Sequence, residues 1–468
     1  GTVTLTSITD NFTNVVAAQA TAGIAMTAAT IETDNTEAVT KDNVDTLNGF
    51  TGGVVTVKSV RDTRANVEAI DAIDDGEVLM NTAIVSVTDA VTKANADSLN
   101  LLTAGQVTLE SVEDTNANIL LIDGLTTSEV TMAAAAVKVT DKVNNAEVDT
   151  LDSKTTGKVT VDILEDTFAE VSALAALDNA DVDISGAAIT VTNAVSKANA
   201  DTLNGFTTGT VTLTSITDNF TNVVAAQATA GIAMTAATIE TDNTEAVTKD
   251  NVDTLNGFTG GVVTVKSVRD TRANVEAIDA IDDGEVLMNT AIVSVTDAVT
   301  KANADSLNLL TAGQVTLESV EDTNANILLI DGLTTSEVTM AAAAVKVTDK
   351  VNNAEVDTLD SKTTGKVTVD ILEDTFAEVS ALDTLDDAQV DISDAAITVT
   401  NAVTKANADT LNGFTDGLVT LKSVRDTRAN VVLIDGMTDS EVLMNTAIVT
   451  VTDAVSKDQA VTLNGFTN

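Results

Sequence analysis

The chain has no cysteine, histidine, proline, tryptophan or tyrosine, and only nine phenylalanines. Without cysteine there is no disulfide, no thiol nucleophile and no thiolate metal site. Without histidine the usual acid–base group of neutral pH is missing. The many serine and threonine hydroxyls would need an adjacent base, and only Lys, Asp or Glu could serve. Basic residues number 24 against 71 acidic ones, a net charge of −47. With nothing to stack on bases, that balance excludes nucleic acid as a partner, and it repels anionic membrane. No apolar run reaches the roughly 18 residues that cross a bilayer, so membrane insertion is not expected. No glycine-rich phosphate loop of the Walker or dinucleotide kind is present. These absences point away from an enzyme.

What is present is a repeat. Glycine stands at 1, 53, 105, 157, 209, 261, 313, 365 and 417. A valine follows two places later, Val3 through Val419, and an aspartate nine places later, Asp10 through Asp426. The units are 1–52, 53–104, 105–156, 157–208, 209–260, 261–312, 313–364, 365–416 and 417–468, and residues 1–174 recur identically as 209–382. A period of this size signals a solenoid without conventional domain boundaries, so 1–468 is expected to be one continuous core. The first residue is a repeat glycine and Asn468 closes a repeat. That reads as a cut from a longer array, or a processed segment. At 44% apolar but 2% aromatic residues, the core must be Ala, Val, Ile, Leu and Thr.

Within a unit the apolar period changes. In the second, Val55 and Val57 alternate with Thr56 and Lys58, which predicts a half-buried strand over about 55–60. Asp62 stands where a helix N-cap would. Val67, Ile70 and Ile73 are spaced by three, a helical stripe over about 63–73, which Asp74-Asp75-Gly76 breaks. Val78 and Met80 suggest a short strand; Ile84, Val85 and Val87 suggest another running toward Val91. Thr92 can cap a second helix from Lys93 to about Asn100. In the first unit Asn48-Gly49-Phe50 suits a helix end with positive φ and an apolar fold-back. The prediction is an α/β solenoid of nine strand–helix–short strand–strand–helix units, each two coils of about 26 residues, with parallel strands and packed helices. The alternative is an all-β solenoid. The inward residues should be Val3, Leu5, Val15 and Leu47 and their equivalents.

Two acidic ladders are the candidate sites. Asp10, Asp62, Asp114 and Asp166 share one position and would align on stacking, as a calcium site of carboxylates requires; the other reading is that they cap helices. Asp45, Asp97, Asp149 and Asp201 share a second position, which Val461 breaks in the ninth unit. Neither the EF-hand spacing nor the calcium nonapeptide is present. No cofactor is required, with calcium the one candidate. Thr4-Leu5-Thr6 and Thr190-Val191-Thr192 put paired hydroxyls on a strand face, a pattern that can match ice. Lys58, Glu110 and Asp162 interrupt it.

The pattern Val-Thr-Val-x-x-x-x-Asp-Thr-x-Ala-Asn at Val55 to Asn66, with its near copy at Val419 to Asn430, resembles repeat segments of very large bacterial surface and secreted proteins, cyanobacterial ones especially, often adhesin-like. The resemblance implies an extracellular structural or adhesive role, often with calcium. The expected function is therefore the body of an extracellular fibre, sheath or surface stalk; a calcium-dependent adhesin and an ice-binding surface are the alternatives. Repeats without caps favour end-to-end self-association, with Val451, Val455 and Leu463 on the face to be covered.

Overall fold

The computed structural model describes residues 1–73, 76–126, 129–177, 181–281, 284–333, 337–385, 389–437 and 441–467. Among them, 18 helices alternate with 31 strands. The α/β solenoid expectation holds, and the all-β alternative does not. Helix starts fall at Lys41, Arg64, Lys93, Asn116, Asn145, Phe168 and Lys197, so spacings of 23 and 29 residues alternate. Each 52-residue unit is therefore two coils, as expected, but unequal ones. The longer spacing holds two separate strands, such as Val78–Leu79 and Ile84–Val91.

The chain divides into two compact units, one of residues 1–217 and 222–237, the other of 218–221 and 238–468. In the first, strands from Ser59–Asp62 to Ile232–Ala233 form a ten-stranded sheet. In the second, strands from Ser267–Asp270 to Ile448–Val451 form an eleven-stranded one. Pairing is parallel. Val85, Ser86 and Val87 lie beside Val107, Thr108 and Leu109, and Ser111 to Asp114 lie beside Ala136 to Val139. A strand can reach its parallel neighbour only through a crossover, and the short helix of each coil supplies it.

Each helix is brief because few of its residues meet the core. Arg64–Asp71 buries Val67 and Ile70, Lys93–Leu102 buries Ala96 and Leu99, and Asn116–Asp123 buries Ile119 and Ile122. One such i, i+3 pair fits on a single coil edge. The long strands alternate inward and outward residues up to a register shift, as between Val87 and Ala90 or between Val139 and Lys142. Val15 and Leu47 are buried as expected. Val3 and Leu5 are not: Val3 is 57% exposed, while its copy Val211 is fully buried. The two repeats have the same sequence. The difference is that Val211 has strand partners on both sides, Ile189 and Ile232, whereas Val3 pairs with Ile24 alone.

The repeat glycine has a steric cause. A Cβ on Gly105 would lie 2.2 Å from the Ala83 carbonyl oxygen, and one on Gly157 would meet Ala135 likewise at 2.2 Å. The preceding coil leaves no room there. Thr103 locks the approach, its hydroxyl donating to Ala83 O at 2.7 Å and accepting from Gly105 N at 2.9 Å. Thr155 makes the same pair of bonds to Ala135 O and Gly157 N.

Two expectations about helix ends are corrected. Gly49 lies inside the helix Lys41–Phe50, and its copies Gly257 and Gly413 end helices at φ −71° and −84°, with no left-handed residue. The last turn simply tightens, as when Phe258 N donates to Leu255 O, three residues back, at 3.0 Å. Asp62 is not an N-cap; that position belongs to Thr63. Of the expected breaker Asp74-Asp75-Gly76, the two aspartates lie outside the described residues, and Gly76 has φ +112°.

Candidate functional site

A helix begins with N–H groups that have no partner in their own helix. In this chain threonine takes the first share. The Thr63 hydroxyl accepts from Asn66 N, and Thr115 and Thr167 do the same for Asn118 N and Glu170 N. Helices of the other coil type, such as Lys93–Leu102, add a capping box, with Thr92 and Asn95 satisfying each other's backbone N–H.

The aspartate just before these threonines does something else. One oxygen of Asp62 accepts from Thr63 N at 2.8 Å and from Asn66 Nδ2 at 2.9 Å. The other reaches the preceding coil and accepts from Lys41 N, the first residue of its helix, at 2.8 Å. Asp114 repeats this with Thr115, Asn118 and Lys93. Asp166 does so with Thr167 and Asn145. Asp10 has only the local half of the pattern, accepting from Asn11 N and Asn14 Nδ2. Each of the other three is a tie between successive coils. Burial pushes the Asp62 carboxyl up, but the bonds from Lys41, Asn66 and Thr63 outweigh it and hold it below its ordinary range. The same balance lowers Asp114, Asp270, Asp322 and Asp426.

A third ladder was missed by sequence reasoning. At each register shift an acid or amide turns toward the preceding coil and caps the alternate helix. Asp89 accepts from Arg64 N at 2.6 Å, Asp141 from Asn116 N at 2.7 Å, and Asn193 from Phe168 N at 2.8 Å. Asp297, Asp349, Asn401 and Asp453 do the same. In the first and fifth repeats the longer Glu37 and Glu245 stand there and bind Thr13 and Thr221. The signal was available: position 37 of every unit is Asp, Asn or Glu. It was hidden because asparagine and glutamate interrupt a search for one residue type.

As to cations, the described residues contain no group of three or more carboxylates placed to hold a metal. The oxygens of Asp62, Asp114 and Asp166 already accept N–H donors from two coils, so an ion there would compete with both helix starts. Members of the Asp45 ladder sit on exposed helix faces in i, i+4 pairs: Lys41 with Asp45, Lys93 with Asp97 and Lys249 with Asp253. The threonine face is likewise occupied by ions. Lys138 lies 3.0 Å from Glu113 and 3.2 Å from Asp162, and Arg61 lies 2.7 Å from Glu110.

No protein-family model matches the chain, and no curated protein matches it. Among solved structures it aligns with a chain of the crystal structure of the Rad7 and Elc1 complex in yeast. Identity is 9% over 80% of this chain and 81% of that one, with a TM-score of 0.14. A likeness that low bears on neither fold nor function, so the site must be judged on its own geometry. A surface hollow of about 390 Å³ lined by Lys350, Asn352, Glu355, Glu373 and Asp374 illustrates it. Lys350 pairs with Glu373, Glu355 closes a capping box with Asn352, and Asp374 takes the N–H of Asn353. These polar groups serve the fold.

Proposed function

We propose that this chain is a structural repeat, the body of an extracellular fibre, sheath or surface stalk whose function is to supply length. The observation that carries the reading is the direction of its recurring acids. Asp62, Asp114 and Asp166, and with them Asp89 and Asp141, tie one coil to the coil before it. A side chain repeated to hold its neighbour specifies an array of any length. The sequence resemblance to bacterial surface repeats supports the extracellular placement. Immunogold microscopy of native material, with antibody raised against the repeat, tests it. Label along extended structures outside the cell is expected. Label on isolated particles inside the cell would overturn the reading.

A further inference from the structure

We infer that repeats 1 and 5 each carry a built-in seam, a coil junction that opens before its neighbours, placed once every four repeats. The seam in repeat 5 lies well inside the chain and carries the argument. The identical sequence of repeat 1 forms the same junction.

The cause is in the sequence. In repeats 2, 3, 6, 7 and 8 two residues span the register shift, as Thr296 and Asp297 do between Val295 and Ala298. In repeat 5 four residues, Asp242 to Glu245, stand between Thr241 and Ala246. Thr241 takes the place of Val295: Ile239 and Glu240 pair forward with Val263 and Thr264, as Val293 and Ser294 do with Val315 and Thr316. The longer loop leaves the strand. Asp242 turns onto Thr244, its carboxylate accepting from Thr244 N at 2.9 Å and from the Thr244 hydroxyl at 2.6 Å.

The consequence is a break in the sheet. One repeat on, the unbroken strand Ile292–Val299 pairs with Val315–Asp322 on both sides of the register shift, through Val293, Ser294, Val295, Ala298 and Val299. At the seam Ile239 and Glu240 pair before the loop, and Val247 forms an isolated bridge to Val268 after it. The facing strand is split as well, into Val263–Thr264 and Ser267–Asp270, which fall in two different sheets. Where the ladder stops, a side chain takes over: Lys266 N donates to the Thr241 hydroxyl at 3.0 Å, and Thr241 is fully buried. In repeat 1 Lys58 N donates to the Thr33 hydroxyl at 3.0 Å, and Val39 forms the isolated bridge to Val60. A junction held by fewer ladder pairs opens at lower free energy than its neighbours. A rod that bends or stretches would yield there first. That consequence rests on the structural-repeat reading, while the seam itself does not.

The test uses the whole 468-residue chain, which has no native cysteine. Val247 and Val299 hold the same place in successive repeats, and both are fully buried. The single variants Val247→Cys and Val299→Cys are treated with a thiol-labelling reagent under native conditions, each rate normalised to that of the unfolded chain. A buried thiol reacts only when its junction opens. Val247→Cys should therefore label about tenfold faster, the worth of roughly one ladder hydrogen bond. Replacing Thr241 through Glu245 by Val-Thr-Asp, the residues at 295–297, should slow Val247→Cys to the rate of Val299→Cys. Equal rates in the two single variants would overturn the inference, as would a fast rate that survives the loop replacement. Should the replaced chain not fold, the two single variants decide the matter by themselves. Equal rates together with fibrous native material would sink the seam and leave the structural reading standing. Fast labelling at Val247→Cys in a chain found only inside the cell would do the reverse.

Discussion

Asp114 serves two helices, holding Thr115 and Asn118 with one oxygen and Lys93 N with the other. Asp114→Ala would orphan a helix N–H in one coil and loosen the helix start in the next. The expected cost is about 1–3 kcal/mol, read as a lower urea midpoint. Gly105→Ala should cost a similar ~1–3 kcal/mol, because its Cβ would press on backbone rather than on a side chain that can turn away. The pH dependence follows from carboxyls held low. Lys158 and Ser185 lower Asp183 to about 2, and Lys366 and Ser393 do the same for Asp391. A carboxyl with a folded value below its unfolded one stabilises the fold above the ordinary value of 3.8, and that contribution is lost as the pH falls toward about 2. Asp183→Asn with Asp391→Asn should flatten the fall in stability between pH 4 and pH 2, as measured by urea midpoints across that range.

Elements depend on which capping group stands at the register shift, and the chain contains its own substitution series there. Asn193 and Asn401 hold Phe168 N and Phe376 N at 2.8 Å, as Asp89 holds Arg64 N at 2.6 Å. A neutral amide oxygen therefore suffices. Asp89→Asn should change stability by less than about 0.5 kcal/mol, and Asp89→Ala should cost about 1 kcal/mol, the usual loss of a cap. Thermal unfolding of the two variants side by side checks this. The same region shows what was legible in the sequence. Val67 and Ile70 announced their helix, and Ile84 to Val91 their strand, because those signals are local periods. The tie from Asp62 to Lys41 was not legible, since its partner lies 21 residues away and becomes a neighbour only once the coils stack. Gly49 misled because Asn-Gly is permissive: it allows a left-handed ending, but nothing downstream required one.

For the whole molecule the deciding quantity is the net charge of −47. Twenty-four cations cannot neutralise 71 acids, and several of them are already shared. Lys138 serves both Glu113 and Asp162, and Lys346 serves both Glu321 and Asp370. The excess repels itself, and such repulsion destabilises a compact state. Salt screens it over a Debye length of about 10 Å at 0.1 M. Melting temperature should therefore rise with sodium chloride. Divalent ions should raise it further by the same field, but without distinguishing calcium from magnesium, if the aspartate ladder remains engaged with helix starts. A calcium site at Asp10, Asp62, Asp114 and Asp166 would behave differently. Each independent site would add RT ln(1 + [L]/Kd) for calcium alone, and chelation would remove the gain. Melting in equal concentrations of the two ions, with and without chelator, separates the outcomes. Equal curves place those aspartates in the coil-to-coil ties. A calcium-specific rise, reversed by chelator and lost in Asp62→Asn with Asp114→Asn, would turn the ladder into a metal site and favour the calcium-dependent adhesin.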